Sequence, residues 1–93
     1  MAVLLSDEQV SARLADMPGW HREGGEIVHL QTLADFRASM LYVGAIAYLA
    51  EQANHHPDIS ISWNKVRLSL ATHSAGGLTE NDFLLATQIS ALT

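Results

Sequence analysis

The sequence predicts an α+β protein in which a four-stranded antiparallel sheet carries three helices on one face, in the order α-β-β-α-β-β-α. Two stretches, Trp20 to Leu30 and Ile59 to His73, read as pairs of short strands folded about a tight turn. Between them, from about Ala34 to Asn54, apolar residues recur at helical spacing, and positions 38 to 50 hold no charge. Capping patterns open a further helix near each end of the chain.

Ser6-Asp7-Glu8-Gln9 is a capping box, with Ser at N-cap and Gln at N3, followed by Val10, Leu14 and Met17 on one helical stripe; Pro18-Gly19 ends the helix. Trp20 to Glu23 and Glu26 to Leu30 form the first hairpin, where Gly24-Gly25 supplies the positive φ angles of a primed turn. The long helix has two apolar stripes, one of Phe36, Met40, Val43, Ala47 and Ala50, the other of Tyr42, Ile46, Leu49 and Ala53. One stripe lies on the sheet, and the other is expected to find its cover on another subunit. The second hairpin turns at Asn64-Lys65, with Ile59, Ile61, Trp63, Leu68 and Leu70 toward the core. Thr79 caps the last helix, with Phe83, Leu84 and Ile89 as its apolar face.

At 93 residues the chain has room for one core, so one domain over residues 1–93 is expected. A small, apolar-rich chain gains by burying surface against copies of itself, which predicts a homo-oligomer. The net charge of -5 with only five Lys and Arg residues leaves no basic stripe for nucleic acid or an anionic membrane. The absence of cysteine removes thiolate nucleophiles, Fe–S clusters and Cys-ligated zinc. The run Ala2 to Leu5 lacks a basic flank, and Met40 to Ala50 is too short to span a bilayer, so the expectation is a cytoplasmic protein.

The stretch Glu51-Gln52-Ala53-Asn54-His55-His56-Pro57-Asp58 places two of the five histidines side by side between carboxylates. With Asn64-Lys65 as the turn, Ile61 faces Leu68 and Ile59 faces Leu70, and the same register carried past the strand ends sets His56 opposite His73. Opposed residues share a face with Cβ atoms about 5 Å apart. Glu51 lies four residues before His55, within reach if the helix runs that far. Asp82, in the first turn of the last helix, is a further carboxylate that Gly76-Gly77-Leu78 folds back toward the site. Imidazole both gives and takes a proton near neutrality, so this cluster suits general acid–base chemistry, including expulsion of a poor leaving group such as hydroxide.

Other readings compete. His55 and His56 could simply cap a helix C-terminus, where cations are favoured. Three imidazoles could hold zinc, but adjacent residues diverge in direction and there is no His-x-x-x-His chelate, so no metal is expected. His21 and His29 read as solvated strand surface, and Trp63 as a core or cleft-wall residue. Gly76-Gly77 lacks the Lys-Ser or Lys-Thr that would follow in a phosphate loop.

The pattern acidic-x3-His-His-Pro-x5-aromatic-x9-His-x8-Asp is met without a gap by Glu51, His55, His56, Pro57, Trp63, His73 and Asp82. With Asn64-Lys65-Val66, Thr72-His73 and Gly77-Leu78-Thr79 around it, the chain resembles, over essentially its whole length, the pterin-4a-carbinolamine dehydratase family, also known as the dimerization cofactor of a homeodomain transcription factor. That resemblance implies loss of water from 4a-hydroxytetrahydropterin to give quinonoid dihydropterin, with no cofactor and no metal. It implies His55 and His73 as general acids, His56 mainly as a pterin-binding residue, Glu51 tuning the first histidine and Asp82 supporting the site. The pterin pocket would be lined around Asn54 and from Ala71 through Thr72 and His73 to Ser74, with Trp63 nearby. A homodimer or homotetramer is implied, and with it the alternatives of an interaction module resembling a coactivator, a further protein partner, or a role in molybdenum cofactor metabolism. Asn54 and Ser74 depart from the acidic residues that some family members carry there.

Overall fold

The computed structural model describes residues 2–93. In chain order it contains α1 (Asp7–Ala15), β1 (Trp20–Glu23), β2 (Glu26–Thr32), α2 (Phe36–Ala53), β3 (Asp58–Ser62), β4 (Lys65–Leu70), one 3-10 turn (His73–Ala75) and α3 (Glu80–Ser90). The strands form one antiparallel sheet in the order β1-β2-β4-β3, so the two hairpins join through β2 and β4. The predicted order and sheet are both present.

All three helices share one core with the sheet: Val10 of α1, Tyr42 and Ile46 of α2, and Phe83, Leu85, Ala86 and Ile89 of α3 meet Trp20, Ile27, Val66, Leu68 and Leu70. Each large aliphatic side chain among these contributes about 1.5–3 kcal/mol relative to leaving it in water. Local chemistry agrees with this packing at the α1 start, where Gln9 N–H donates to Ser6 Oγ at 3.1 Å and Ser6 N–H donates to Gln9 Oε1 at 2.8 Å.

Several expectations are corrected. Ser62 pairs with Lys65, so Trp63 and Asn64 form the second turn and the register moves by two: Ile61 faces Val66 and Ile59 faces Leu68. Asn64 is pinned there by the β2–α2 loop, its carbonyl accepting Leu33 N–H at 2.7 Å and its Nδ2 donating to Leu33 O at 3.2 Å. Trp63 takes a left-handed φ of 50° and is 63% exposed instead of entering the core. The even shift preserves parity, so Ile59, Leu68 and Leu70 still face the helices. In the first turn only Gly24 has a positive φ, 60°.

β4 also ends sooner than the alternation implied. Its ladder with β2 stops at Leu70, a lone bridge joins Thr72 to Gly77, and His73 begins the 3-10 turn, which Gly76 closes at φ 79°. On α2 the stripe of Tyr42, Ile46 and Leu49 faces inward, while Phe36, Met40 and Ala47 of the other are exposed and only Ala50 is buried. On α3, Leu84 is 63% exposed and Leu85 is buried, because the inward stripe is Asp82, Leu85, Ala86 and Ile89 at the i, i+3, i+4, i+7 spacing. His29 sits opposite the core residue Leu68, stacked on Trp20 with ring centroids 5.1 Å apart, and not on solvated surface.

Candidate active site

The end of α2 sets the position of the paired histidines. Asn54 takes a left-handed conformation, φ 49° and ψ 43°, its N–H reaches Glu51 O, and His55 N–H reaches Ala50 O at 3.1 Å. This is a Schellman closure, and Asn is one of the few residues besides Gly that enters the left-handed region readily. The reversal turns His55 inward and leaves His56 outside.

His55 Nε2–H donates to Asp82 Oδ1 at 2.5 Å, with the two side chains 14% and 0% exposed. A carboxylate only accepts, so Nε2 carries the hydrogen and Nδ1 is the ring nitrogen left for other work. Asp82 is held in turn by the start of α3: as N3 of a capping box its Oδ2 accepts Thr79 N–H at 2.9 Å, and it also accepts the Thr72 hydroxyl at 2.8 Å. Among the described residues no buried side-chain nitrogen or oxygen is without a partner. A buried carboxylate behind an imidazole fixes its tautomer and ring orientation, an arrangement suited to proton transfer.

The expected Glu51–His55 pair is replaced by another. His56 Nε2–H donates to Glu51 Oε2 at 2.5 Å, with the His56 side chain 56% and the Glu51 side chain 75% exposed. The four-residue spacing of Glu51 and His55 has meaning only on a continuous helix, and the left-handed Asn54 interrupts it. His56 does not face His73 either, because the register that opposed them is displaced.

His73 is exposed and its ring makes no side-chain hydrogen bond among the described residues. It lines a cleft of about 310 Å³ with Gly25, Glu26, Ala71, Gly76 and Gly77. Glu26 accepts a hydrogen bond from Ser69, on the sheet face turned away from the helices. Of the expected pocket residues, Ala71 lines this cleft, Ser74 is exposed beside His73, and Asn54 forms the α2 reversal. Trp63 stands at the far end of the β3–β4 hairpin, a whole strand from Pro57, and is outside the histidine region of its own chain. Glu26 and Thr79 were missed as site residues. For Thr79 a signal was available: Asp82 falls on the apolar stripe of α3, where a carboxylate needs donors, and a capping threonine three residues earlier supplies them.

Among the described residues no group of three or more His, Asp or Glu is placed to hold a metal ion. The fold and these side chains define a small α+β protein with one carboxylate-oriented imidazole, His55, and a second imidazole, His73, lining an open cleft, side chains suited to acid–base chemistry. Residues 3–92 match the model of the pterin 4 alpha carbinolamine dehydratase family, and the chain belongs to that family. A Roseiflexus sp. protein is 52% identical over 99% of both chains, and one from Thermomicrobium roseum is 44% identical over 95% of both; each is provisionally named pterin-4-alpha-carbinolamine dehydratase. The crystal structure of a transcriptional coactivator/pterin dehydratase from Brucella melitensis superposes with a TM-score of 0.91 at 29% identity, covering 95% of this chain and 96% of that one. A pterin dehydratase-like protein identified as a RuBisCO assembly factor in the alpha-carboxysome shares the fold alone, with a TM-score of 0.64 at 19% identity over 78% of this chain and 84% of that one.

Proposed function

We propose that this protein is a hydro-lyase that removes water from 4a-hydroxytetrahydropterin to give quinonoid dihydropterin. The observation that carries the reading is the buried His55–Asp82 pair, at the positions where the family pattern has its first histidine and its aspartate. The protonated His55 ring gives its Nδ1 hydrogen to the departing 4a-hydroxyl. The C4a–O bond breaks as the N5 lone pair forms the C4a=N5 bond, water leaves, and the N5 hydrogen is taken up by the now neutral Nδ1 of His55. One proton is delivered and one recovered, so the imidazole ends as it began. Such catalysis is worth about 10²- to 10⁴-fold in rate. His73, free in its cleft, serves as the acid toward the other substrate stereoisomer. His56, oriented by Glu51, contacts the pterin, and the chain around Asn54 and from Ala71 to Ser74 lines its pocket.

The test supplies 4a-hydroxytetrahydropterin made freshly by an aromatic amino-acid hydroxylase and follows quinonoid dihydropterin by absorbance. The expected result is acceleration that survives chelators and falls in His55→Ala and His73→Ala. Loss of activity on chelation, or no acceleration over the spontaneous reaction by folded protein, would contradict the proposal.

A second reading adds to the first. Phe36, Met40, Leu41 and Tyr48 are exposed along α2, whose positions 38 to 50 hold no charge, an apolar face that a cytoplasmic homodimer or homotetramer would cover. Sedimentation of wild type and Met40→Glu should show an oligomer weakened by the charge; a monomeric wild type would refute it. No helix among the described residues is long and apolar enough to cross a membrane.

A further inference from the structure

Thr72 belongs to the segment expected to line the pterin pocket, yet every polar group it owns is engaged inside the protein. Its N–H donates to Gly77 O at 2.9 Å, and its carbonyl accepts Ala75 N–H at 3.0 Å and Gly77 N–H at 3.4 Å. Its hydroxyl donates to Asp82 Oδ2 at 2.8 Å and lies 2.8 Å from Thr79 Oγ1. The single Thr72 hydroxyl hydrogen goes to the carboxylate, so the hydrogen between the two threonines belongs to Thr79. Thr79 Oγ1 in turn accepts Asn81 N–H at 3.3 Å. The result is a directed chain of donors, Asn81 N–H to Thr79 hydroxyl to Thr72 hydroxyl to Asp82 Oδ2, with His55 on Oδ1. Thr72, Thr79 and Asp82 are all buried.

We infer that Thr72 and Thr79 are positioning residues that act on His55 through Asp82, and that the Thr72 side chain does not bind substrate. The inference rests on the dehydratase reading for its catalytic consequence, but its geometry is independent of turnover. A carboxylate with four acceptor positions can rotate about its Cβ–Cγ bond; two donors on Oδ2 hold it with Oδ1 toward the imidazole. Because the donors point one way and polarise one another, deleting the middle hydroxyl unlatches both ends. Thr72 also ties the end of β4 to the start of α3, so the chain joins the sheet, the helix and the catalytic imidazole in one network.

The wild-type protein, labelled with ¹⁵N at histidine, gives the first reading. His55 should show the Nε2–H tautomer with a strongly downfield ring proton, and the Thr72 hydroxyl proton should exchange slowly with solvent. In Thr72→Val, which keeps the shape, the downfield proton should weaken or move, and kcat should fall on the order of 10- to 100-fold with KM little changed. Thr72→Ser should recover most of the loss. An unchanged His55 signal with a raised KM would make Thr72 a substrate contact and overturn the inference. A freely exchanging Thr72 hydroxyl in the wild type would overturn it even if the valine variant did not fold. Intact His55 signals without dehydratase activity would count against the proposed reaction and leave the positioning role standing.

Discussion

His55 and His56 are neighbours in sequence, and each places Nε2 2.5 Å from a carboxylate, yet the two pairs differ in nearly every consequence. The His55–Asp82 pair is shielded, and Asp82 is anchored by two further donors, whereas His56–Glu51 stands in solvent on the last turn of α2. In water an ion pair at this distance gains little over hydration, and salt screens what it gains. Behind protein the same contact fixes a tautomer, and losing one partner strands the other. Distance alone therefore does not rank the two imidazoles. What separates them is the left-handed residue before them, which sends one ring in and the other out.

Asp82→Asn should break this comparison most severely. The amide oxygen can still serve Thr79 N–H and the Thr72 hydroxyl, but its NH₂ then faces His55 Nε2 and favours the wrong tautomer. We expect kcat to fall about 10²- to 10⁴-fold with the fold retained, as judged by circular dichroism beside dehydration kinetics. Asn54→Val comes next, because a β-branched residue in the left-handed region costs about 1–2 kcal/mol. Urea unfolding should show that loss with an unchanged slope, while Asn54→Gly should stay close to wild type; equal stabilities for Val and Gly would show that the reversal does not depend on this backbone state.

Glu51→Gln should alter stability by less than about 1 kcal/mol, and the difference should shrink further in high salt. The smallest effect concerns the exposed Arg13–Glu80 pair, which ties α1 to α3. The hydrogen bond from Arg13 holds the Glu80 carboxyl below its ordinary value of 4.5, aided by its charge and opposed by slight desolvation. A carboxyl lowered in the folded state contributes stability above its unfolded value and loses it as pH falls through the lower folded value. Stability of Glu80→Gln should therefore decline less steeply than wild type as pH drops below about 4.5, and parallel curves would show the pair to be idle.

Much of the fold was legible from short-range chemistry. The capping box at Ser6, the N-cap at Thr79, the Gly24-Gly25 turn and the helical period of α2 each depend on a few neighbouring residues, and each appears in place. The histidines and Asp82 were likewise visible as residue types at fixed spacing. Their pairing was not, because it depends on events outside the local pattern. Bonds to Leu33, thirty-one positions away, hold Asn64 as the second residue of a turn that begins at Trp63 instead of the first of one that ends at Lys65, and that moved the register opposing His56 and His73. Asn54 reversed the chain, and that exchanged Glu51 from His55 to His56. The choice of Leu85 over Leu84 follows from the stripe Asp82 begins, which becomes readable only once a buried carboxylate is accepted as part of the core.

In the proposed reaction the buried pair does the chemistry and the exposed pair serves binding. The direct measurement is steady-state dehydration of 4a-hydroxytetrahydropterin by His55→Ala and His56→Ala, compared side by side with wild type. His55→Ala should lose kcat by about 10²-fold or more, while His56→Ala should mainly raise KM. Equal losses of kcat, or a larger loss in His56→Ala, would contradict it.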